Sequence, residues 1–148
     1  MEANLNKRRW IAALALTGAV AIVAGCQSMA PMMAGQEIVL SGSNEVPPVT
    51  TTASGTGTVT INADRTVSAR ISVTGMTPTA SHIHEGAAGA NGPVIVPFTK
   101  TGDNTFAAPD GAKLTESQYA SYKAGNLYVN VHSARNPGGE VRAQLKGN

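Results

Sequence analysis

Apolar and polar residues alternate through residues 57–75, in the stretch GTVTINADRTVSARISVTG. Before the turn residues at 62–65, Val59 and Ile61 share one face and the threonines beside them share the other. After the turn, an apolar residue recurs at every second position from Val67 to Val73. This period of two is typical of strands with one buried face, so the segment predicts a β-hairpin.

Other segments extend the same picture. EIVLSGS at 37–43 and GEVRAQL at 139–145 are predicted to be further strands. The prolines at 47, 48 and 78 cannot donate hydrogen bonds to a neighbouring strand, so they belong at sheet edges or in connections. Many short strands with regular turn signals favour an all-β fold, an antiparallel β-sandwich or barrel.

One short helix is predicted near residues 115–124. Thr115 is placed as its N-cap, and Gln118 follows at the spacing of a capping box. Gly125 is placed to end the helix. Leu114, Tyr119 and Tyr122 are expected to pack the helix against the sheet.

The N-terminus carries a different pattern. A basic segment precedes the apolar run IAALALTGAVAIVAG, which ends at Cys26, the single cysteine. This arrangement resembles a bacterial lipoprotein signal, which implies a cleaved signal peptide at 1–25, lipid on Cys26 and a tether at 26–35. An uncleaved membrane anchor is the alternative, but the run is short for a spanning helix. Gln27 stands where Asp would resemble an inner-membrane retention signal, which favours an exported protein anchored to the outer membrane of the cell envelope.

Removal of this signal changes the charge. The chain has 11 Lys+Arg and 9 Asp+Glu, and eight of each remain without Lys7, Arg8, Arg9 and Glu2. No basic patch interleaved with aromatic residues is left, so a nucleic-acid partner is not expected. With one cysteine, neither an intramolecular disulfide nor a cysteine zinc cluster can form. The tether methionines (29, 32 and 33) are soft Cu(I) ligands in principle, but a plain linker is the preferred interpretation.

All three histidines lie in two strand-like segments, SHIHE and LYVNVHS. On a strand, His82 and His84 point to one face and Ile83 to the other. By the same rule Asn130 shares a face with His132. If the two strands are neighbours, the three imidazoles meet and make a three-coordinate metal site with an open position. The alternative is that these histidines make ordinary hydrogen bonds.

Residues 37–146 resemble the chordin-type domain, called CHRD. The motifs that carry this resemblance are LSGSNEVPPVTTTASGTG, HIHEGAAGANGPVIV, LYVNVHSARNPGGEVRAQL and the spacing LT..QY....AGNLY. The resemblance implies one such domain at 36–148, which in bacteria is an exported domain. In animals the domain occurs in chordin, an extracellular antagonist of growth factors. A metal-free protein-binding or structural module is therefore an alternative function, with an unknown protein partner.

A more distant resemblance concerns the metal. HIHE with its glycine-rich loop, and the later VNVH, are similar to the copper strands of copper-zinc superoxide dismutases. This implies a Greek-key β-barrel with copper on His82, His84 and His132, and superoxide dismutation as an alternative, enzymatic function. The chain has no fourth histidine, and GAAGANGPV has no titratable side chain, so a bridged copper–zinc site is excluded. Copper is the expected ion, with zinc as the second choice.

Five neighbouring residues are candidates for supporting roles. Glu85 and Asn130 are candidates to orient a ligand imidazole, and a solvated loop carboxylate is the alternative for Glu85. Glu45 is expected to satisfy backbone donors in the VPP turn, with a fourth metal ligand as the alternative, and Glu140 and Arg142 are expected to pair across neighbouring strands. No catalytic residue is predicted, because alternation turns the serines at 81 and 133 away from the histidines. The expected function is copper binding and handling.

Overall fold

The computed structural model describes residues 34–147. The strands are β1 (Gln36–Ser41), β2 (Ser54–Ile61), β3 (Val67–Thr74), β4 (Pro78–Glu85), β5 (Val94–Pro97), β6 (Thr99–Gly102), β7 (Thr105–Ala107), β8 (Leu127–Ser133) and β9 (Val141–Gln144). One α-helix, α1 (Glu116–Lys123), precedes β8, and a 3-10 turn over Gly42–Asn44 follows β1. The predicted all-β class with one short helix is therefore confirmed.

The nine strands form one antiparallel sheet in the order β5-β4-β8-β9-β1-β2-β3-β7-β6. Its two end strands, β5 and β6, are separated in the chain by Phe98 alone. The Phe98 amide donates to the Ser81 carbonyl at 3.0 Å, and the Lys100 ammonium donates to the Pro78 carbonyl at 3.1 Å. The segment from β5 to β6 thus connects the two ends of the sheet through its bonds to β4. The sheet therefore curls into a nearly closed barrel.

The hairpin predicted from alternation is β2 and β3. Their register runs without interruption from Ser54 opposite Thr74 to Ile61 opposite Val67. Along β3, buried and exposed residues alternate through all eight positions. The buried face lines the barrel interior, where it packs with the apolar faces of the other strands. Burial of this apolar surface is the main source of stability for a domain that has no disulfide.

The helix forms where the capping signals place it. The Thr115 hydroxyl accepts from the Gln118 amide, and the Gln118 side chain accepts from the Thr115 amide, which completes the capping box. The chain leaves the helix at Gly125, whose φ of +75° favours glycine. Leu114 and Tyr122 are buried in the core, so the helix packs on the barrel as predicted.

Strand β8 is buried on both faces. Leu127, Val129 and Val131 point into the core. The opposite face, which a half-exposed strand would leave in water, is covered by the loops at 86–93 and 134–140. This double burial creates the enclosed polar layer in which the histidines lie.

The predicted signal peptide at 1–25, Cys26 and most of the tether lie outside the described residues. Within 34–147, the structure contains no helix that is both long enough and apolar enough to span a membrane.

Candidate metal centre

The pairing of β4 with β8 brings the histidines together. The two strands are antiparallel, with His82 opposite Asn130 and His84 opposite Tyr128. His132 lies opposite Ala80, diagonal to His82. Because diagonal neighbours on one face of a sheet are within reach of long side chains, the predicted convergence follows from this register.

The three imidazoles form one cluster. Each offers one ring nitrogen, and these three nitrogens all lie within 4.8 Å of one another. The closest pair is Nδ1 of His82 and Nε2 of His132, at 3.0 Å. His84 and His132 are buried, whereas His82 is partly exposed. The cluster therefore has one side toward water and two ligands held inside the protein.

Backbone carbonyls fix two of the rings. Nδ1 of His84 is 2.9 Å from the Gly92 carbonyl, and Nδ1 of His132 is 2.9 Å from the Pro137 carbonyl. A carbonyl only accepts, so Nδ1 carries the proton in both rings and Nε2 keeps its lone pair. Such contacts between ligand histidines and carbonyls are usual around metal sites, where they set tautomer and ring orientation.

The His84 ring is also held by stacking. It lies parallel to the Tyr128 ring, with centroids 4.8 Å apart and an angle of 7° between the planes. The Arg142 guanidinium carbon lies 3.4 Å from the centroid of the same Tyr128 ring. The Tyr128 hydroxyl accepts from the Gly92 amide at 3.2 Å. The Tyr128 ring and the loop that carries Gly92 therefore both hold the His84 ring.

Burial favours the neutral form of His82 and His84. Burial, followed by the proximity of His132 and His84, lowers the pKa of His82 to about 4. Burial also lowers the pKa of His84, against the opposing effect of its bond to the Gly92 carbonyl. Neutral imidazole is the form that ligates a metal, so these two rings need not lose a bound proton near neutral pH.

These residues fit an ion with a preference for nitrogen ligands. Nε2 of His84 is buried and has no hydrogen-bond partner, which is costly unless another species satisfies it. Two ligands at roughly 2 Å from one ion are at most about 4 Å apart. The 3.0 Å pair meets this limit, and the widest pair must close by less than about 1 Å. The cluster could therefore hold one metal ion.

Comparison with known proteins assigns the fold to a family. The family model described as the CHRD domain matches residues 37–145, which include all three histidines and every strand residue except Gln36. The chain belongs to the CHRD domain family. No curated protein and no solved structure matches the chain. The residues that the family model matches form the barrel described above.

Asn130 lies on the histidine face of β8 in this CHRD domain, and Glu45 lies near Asn130 and Arg142. Asn130 is buried on the face that it shares with His132, and its amide nitrogen is 3.5 Å from the Gly138 carbonyl. Glu45 is 4 % exposed, and burial raises its pKa to about 7 against the opposing effects of Arg142 and Asn130. Glu45 is not among the residues whose ligand atoms cluster with those of the histidines.

The remaining candidates have other partners. Glu85 accepts from the Ser121 hydroxyl of α1 at 2.6 Å and thus ties the helix to β4. Glu140 accepts from the hydroxyls of Thr51 and Ser133. Burial raises the pKa of Glu140, but these hydrogen bonds outweigh it and hold the pKa below its usual value.

Arg142 binds the loop that follows β4. One of its terminal nitrogens, Nη2, donates to the carbonyls of Ala87 and Ala90, at 3.2 and 2.9 Å, and the other, Nη1, donates to the Asn91 side chain at 3.2 Å. The partners of Glu140 and Arg142 are thus loop and strand groups rather than each other. Arg142 is therefore tied to the segment that supplies the Gly92 carbonyl.

Sequence reasoning missed three contributors to the CHRD site: the Tyr128 ring and the carbonyls of Gly92 and Pro137. Tyr128 could have been found, because it shares the face of Asn130 and His132 by alternation. The two carbonyls lie in loops, whose paths no periodic pattern specifies. Every residue type has a backbone carbonyl, so the sequence carried no signal for these two.

Proposed function

We propose that this CHRD domain binds one copper ion through His82, His84 and His132, and that its role is copper binding and handling. The observation that carries the proposal is the buried, unpartnered Nε2 of His84, held next to the other two imidazoles. Ordinary hydrogen bonding explains the contact between His82 and His132 but leaves this atom unsatisfied. A metal ion would satisfy all three rings.

Copper is favoured by the ligand set. The cluster consists of imidazoles alone, which suit copper and zinc, and divalent copper binds such sites more tightly than zinc. With three histidines in the whole sequence, copper would have three imidazole ligands and an open position. We therefore propose binding and handling rather than dismutation.

The proposed setting is the cell envelope. The basic segment, the apolar run and Cys26 support export and lipid anchoring, with the membrane as partner and an outer-membrane location. An exported domain meets copper outside the cytoplasm, which is consistent with a role in its binding.

The test is a titration of the purified full-length protein in detergent with Cu²⁺ against a competing chelator. We expect one tight equivalent, with an electron paramagnetic resonance spectrum that shows nitrogen hyperfine structure. His132→Ala should weaken binding by more than about 100-fold, because loss of outer partners alone costs roughly 10–100-fold. Ser68→Ala, exposed on β3, is the control and should bind as the wild type does. Weak binding at several sites, unchanged in His132→Ala, would overturn the proposal, and a stronger response to Zn²⁺ would assign the site to zinc.

A further inference from the structure

Arg142 carries a positive charge inside the protein, close to the histidine cluster. Its side chain is 1 % exposed. Burial lowers the pKa of the guanidinium, but an arginine in a protein stays protonated near neutral pH. Because a buried charge is costly unless other groups compensate it, the surroundings of this guanidinium determine how far its charge acts on the cluster.

In the described part of the chain, the hydrogen-bond partners of this guanidinium are all neutral. Nη2 donates to the carbonyls of Ala87 and Ala90 and to Oε1 of Gln144, at 3.2, 2.9 and 3.1 Å. Nη1 donates to Oδ1 of Asn91 at 3.2 Å. These dipoles stabilise the guanidinium, but none of them cancels its net charge.

Glu45 is the carboxyl group that acts electrostatically on Arg142. It is not among the four groups that accept hydrogen bonds from the guanidinium. Burial raises the pKa of Glu45 to about 7, against the opposing effect of Arg142. Below that pH the carboxyl group is mostly neutral, so it leaves the guanidinium charge uncompensated.

One aromatic ring connects this charge to a proposed ligand. The guanidinium carbon is 3.4 Å from the centre of the Tyr128 ring, and that centre is 4.8 Å from the centre of the His84 ring. The guanidinium carbon is therefore no farther from the centre of His84 than these two distances taken together. Tyr128 is 2 % exposed and contacts both groups, so the charge acts on the cluster through protein rather than through bulk water.

The ligand set adds no negative charge to oppose the guanidinium. Among the described residues, the ligand atoms that converge belong to three imidazoles, without a carboxylate or a thiolate. Bound to neutral imidazoles, Cu²⁺ keeps two positive charges and Cu⁺ keeps one. A fixed cation repels the first ion twice as strongly as the second, so it favours the reduced ion.

We propose that the buried charge of Arg142 tunes this centre toward Cu⁺, the reduced form of the ion, by disfavouring Cu²⁺. The inference rests on the proposed function and adds to it the oxidation state of the bound ion. For unit charges about 10 Å apart at an effective dielectric constant of about 20, the repulsion corresponds to roughly a tenfold change in an equilibrium constant. Arg142 thus acts on the centre through its charge as well as through the loop and the ring that it contacts.

The experiment measures the Kd of both ions on the full-length protein in detergent, slightly below pH 7, where Glu45 is mostly protonated. Cu²⁺ is titrated against a competing chelator, and Cu⁺ against a Cu⁺-specific chelator under anaerobic, reducing conditions. Arg142→Gln removes the charge and should lower the ratio of the Cu²⁺ Kd to the Cu⁺ Kd roughly tenfold, or about 59 mV in reduction potential. Arg142→Lys keeps the charge. Its poorer contacts weaken the binding of both ions alike, so the ratio should stay within about threefold of the wild type.

Asn91→Asp is a second and milder test. It places a carboxylate where the Asn91 amide oxygen now accepts from Nη1 of Arg142, on an exposed loop. The new negative charge offsets the guanidinium, so the Kd ratio should fall in the same direction, by less than in Arg142→Gln. Asn104→Asp, in the exposed turn between β6 and β7, is the matched control and should leave the ratio unchanged.

The outcomes separate the two proposals. A wild type that binds neither ion at one tight equivalent would overturn the proposed function. One tight equivalent, with a Kd ratio in folded Arg142→Gln within about twofold of the wild type, would overturn this inference alone. An equal fall of the ratio in Arg142→Lys would also overturn it, because packing rather than charge would then be the cause. If Arg142→Gln does not fold, an unchanged ratio in Asn91→Asp overturns the inference.

Discussion

At the scale of single residues, burial sets the protonation of the site in two opposite directions. It lowers the pKa of His82 to about 4 and raises the pKa of Glu45 to about 7. A neutral imidazole and a protonated carboxyl group are both the uncharged forms, so the cause is the same in each case. The pH dependence of stability differs in sign for the two groups. Relative to the unfolded chain, the folded protein binds protons less readily at His82 and more readily at Glu45.

Glu45→Gln tests this directly in the metal-free protein. Between pH 4.5 and about 7, the unfolded chain ionises Glu45 while the folded chain keeps it protonated, so the wild type loses stability as pH rises. Gln keeps the shape and cannot ionise. The difference in free energy of unfolding, variant minus wild type, should therefore increase from pH 4.5 to about 7 and then level off.

Urea denaturation at four pH values measures that difference. His82 acts in the opposite sense in both proteins: between about 4 and 6.5 the unfolded chain binds the extra proton, so stability rises with pH. This contribution cancels in the comparison. A difference that stays constant from pH 4.5 to 8 would show that the Glu45 carboxyl group is not buried as described.

At this scale the sequence predicted much of the site. Strand alternation alone placed His82 and His84 on one face with Ile83 opposite, and the structure has Ile83 fully buried in the core. The roles of Glu140 and Arg142 did not follow, because both bind groups that are distant in sequence, at separations such as 89 and 55 residues. Spacing along one strand carries no information on such partners.

At the scale of elements, the loop at 86–93 connects Arg142 to the histidine cluster. Arg142 holds the carbonyls of Ala87 and Ala90, and the same loop supplies the Gly92 carbonyl to His84. The guanidinium also stacks on Tyr128, which stacks on His84. Arg142 is thus connected to the His84 ring in two ways. One is through the backbone of the loop at 86–93, and the other is through the Tyr128 ring.

Arg142→Lys should weaken copper binding by roughly 10–100-fold, the range found for outer partners of ligand histidines. Lysine keeps the charge, but it lacks the planar fork that reaches four acceptors, one of them on Gln144, and lies flat on a ring. The measurement is the same chelator competition, with circular dichroism to confirm folding. Arg70→Lys, exposed on β3, is the matched control. Unchanged copper affinity in a folded Arg142→Lys would mean that Arg142 positions His84 neither through the loop at 86–93 nor through Tyr128.

The elements themselves were predicted where the pattern is strong. The hairpin of β2 and β3 has eight paired positions, and α1 has a complete capping box. The short strands β5, β6 and β7 were not predicted. They have only three or four residues each, and all four residues of β6 are exposed, so no alternation marks them. Their pairing is imposed by barrel closure rather than by local sequence.

At the scale of the whole molecule, the histidine cluster lies outside the barrel core and beneath two loops. The apolar faces of β4 and β8 complete the core, and their polar faces carry the ligands. One pair of strands thus completes the core and carries the three histidines of the proposed site. The CHRD family assignment covers this whole unit, so the proposed site belongs to the domain rather than to an appended segment.

The most direct test of this account is a crystal structure of the copper-loaded protein, with anomalous diffraction recorded at the copper edge. The account predicts one strong anomalous peak about 2 Å from a ring nitrogen of each of His82, His84 and His132. It also predicts that the ion replaces the hydrogen bond between His82 and His132. A peak elsewhere, or no peak with that 3.0 Å contact intact, would contradict the account and leave the histidines as hydrogen-bonding residues of the fold.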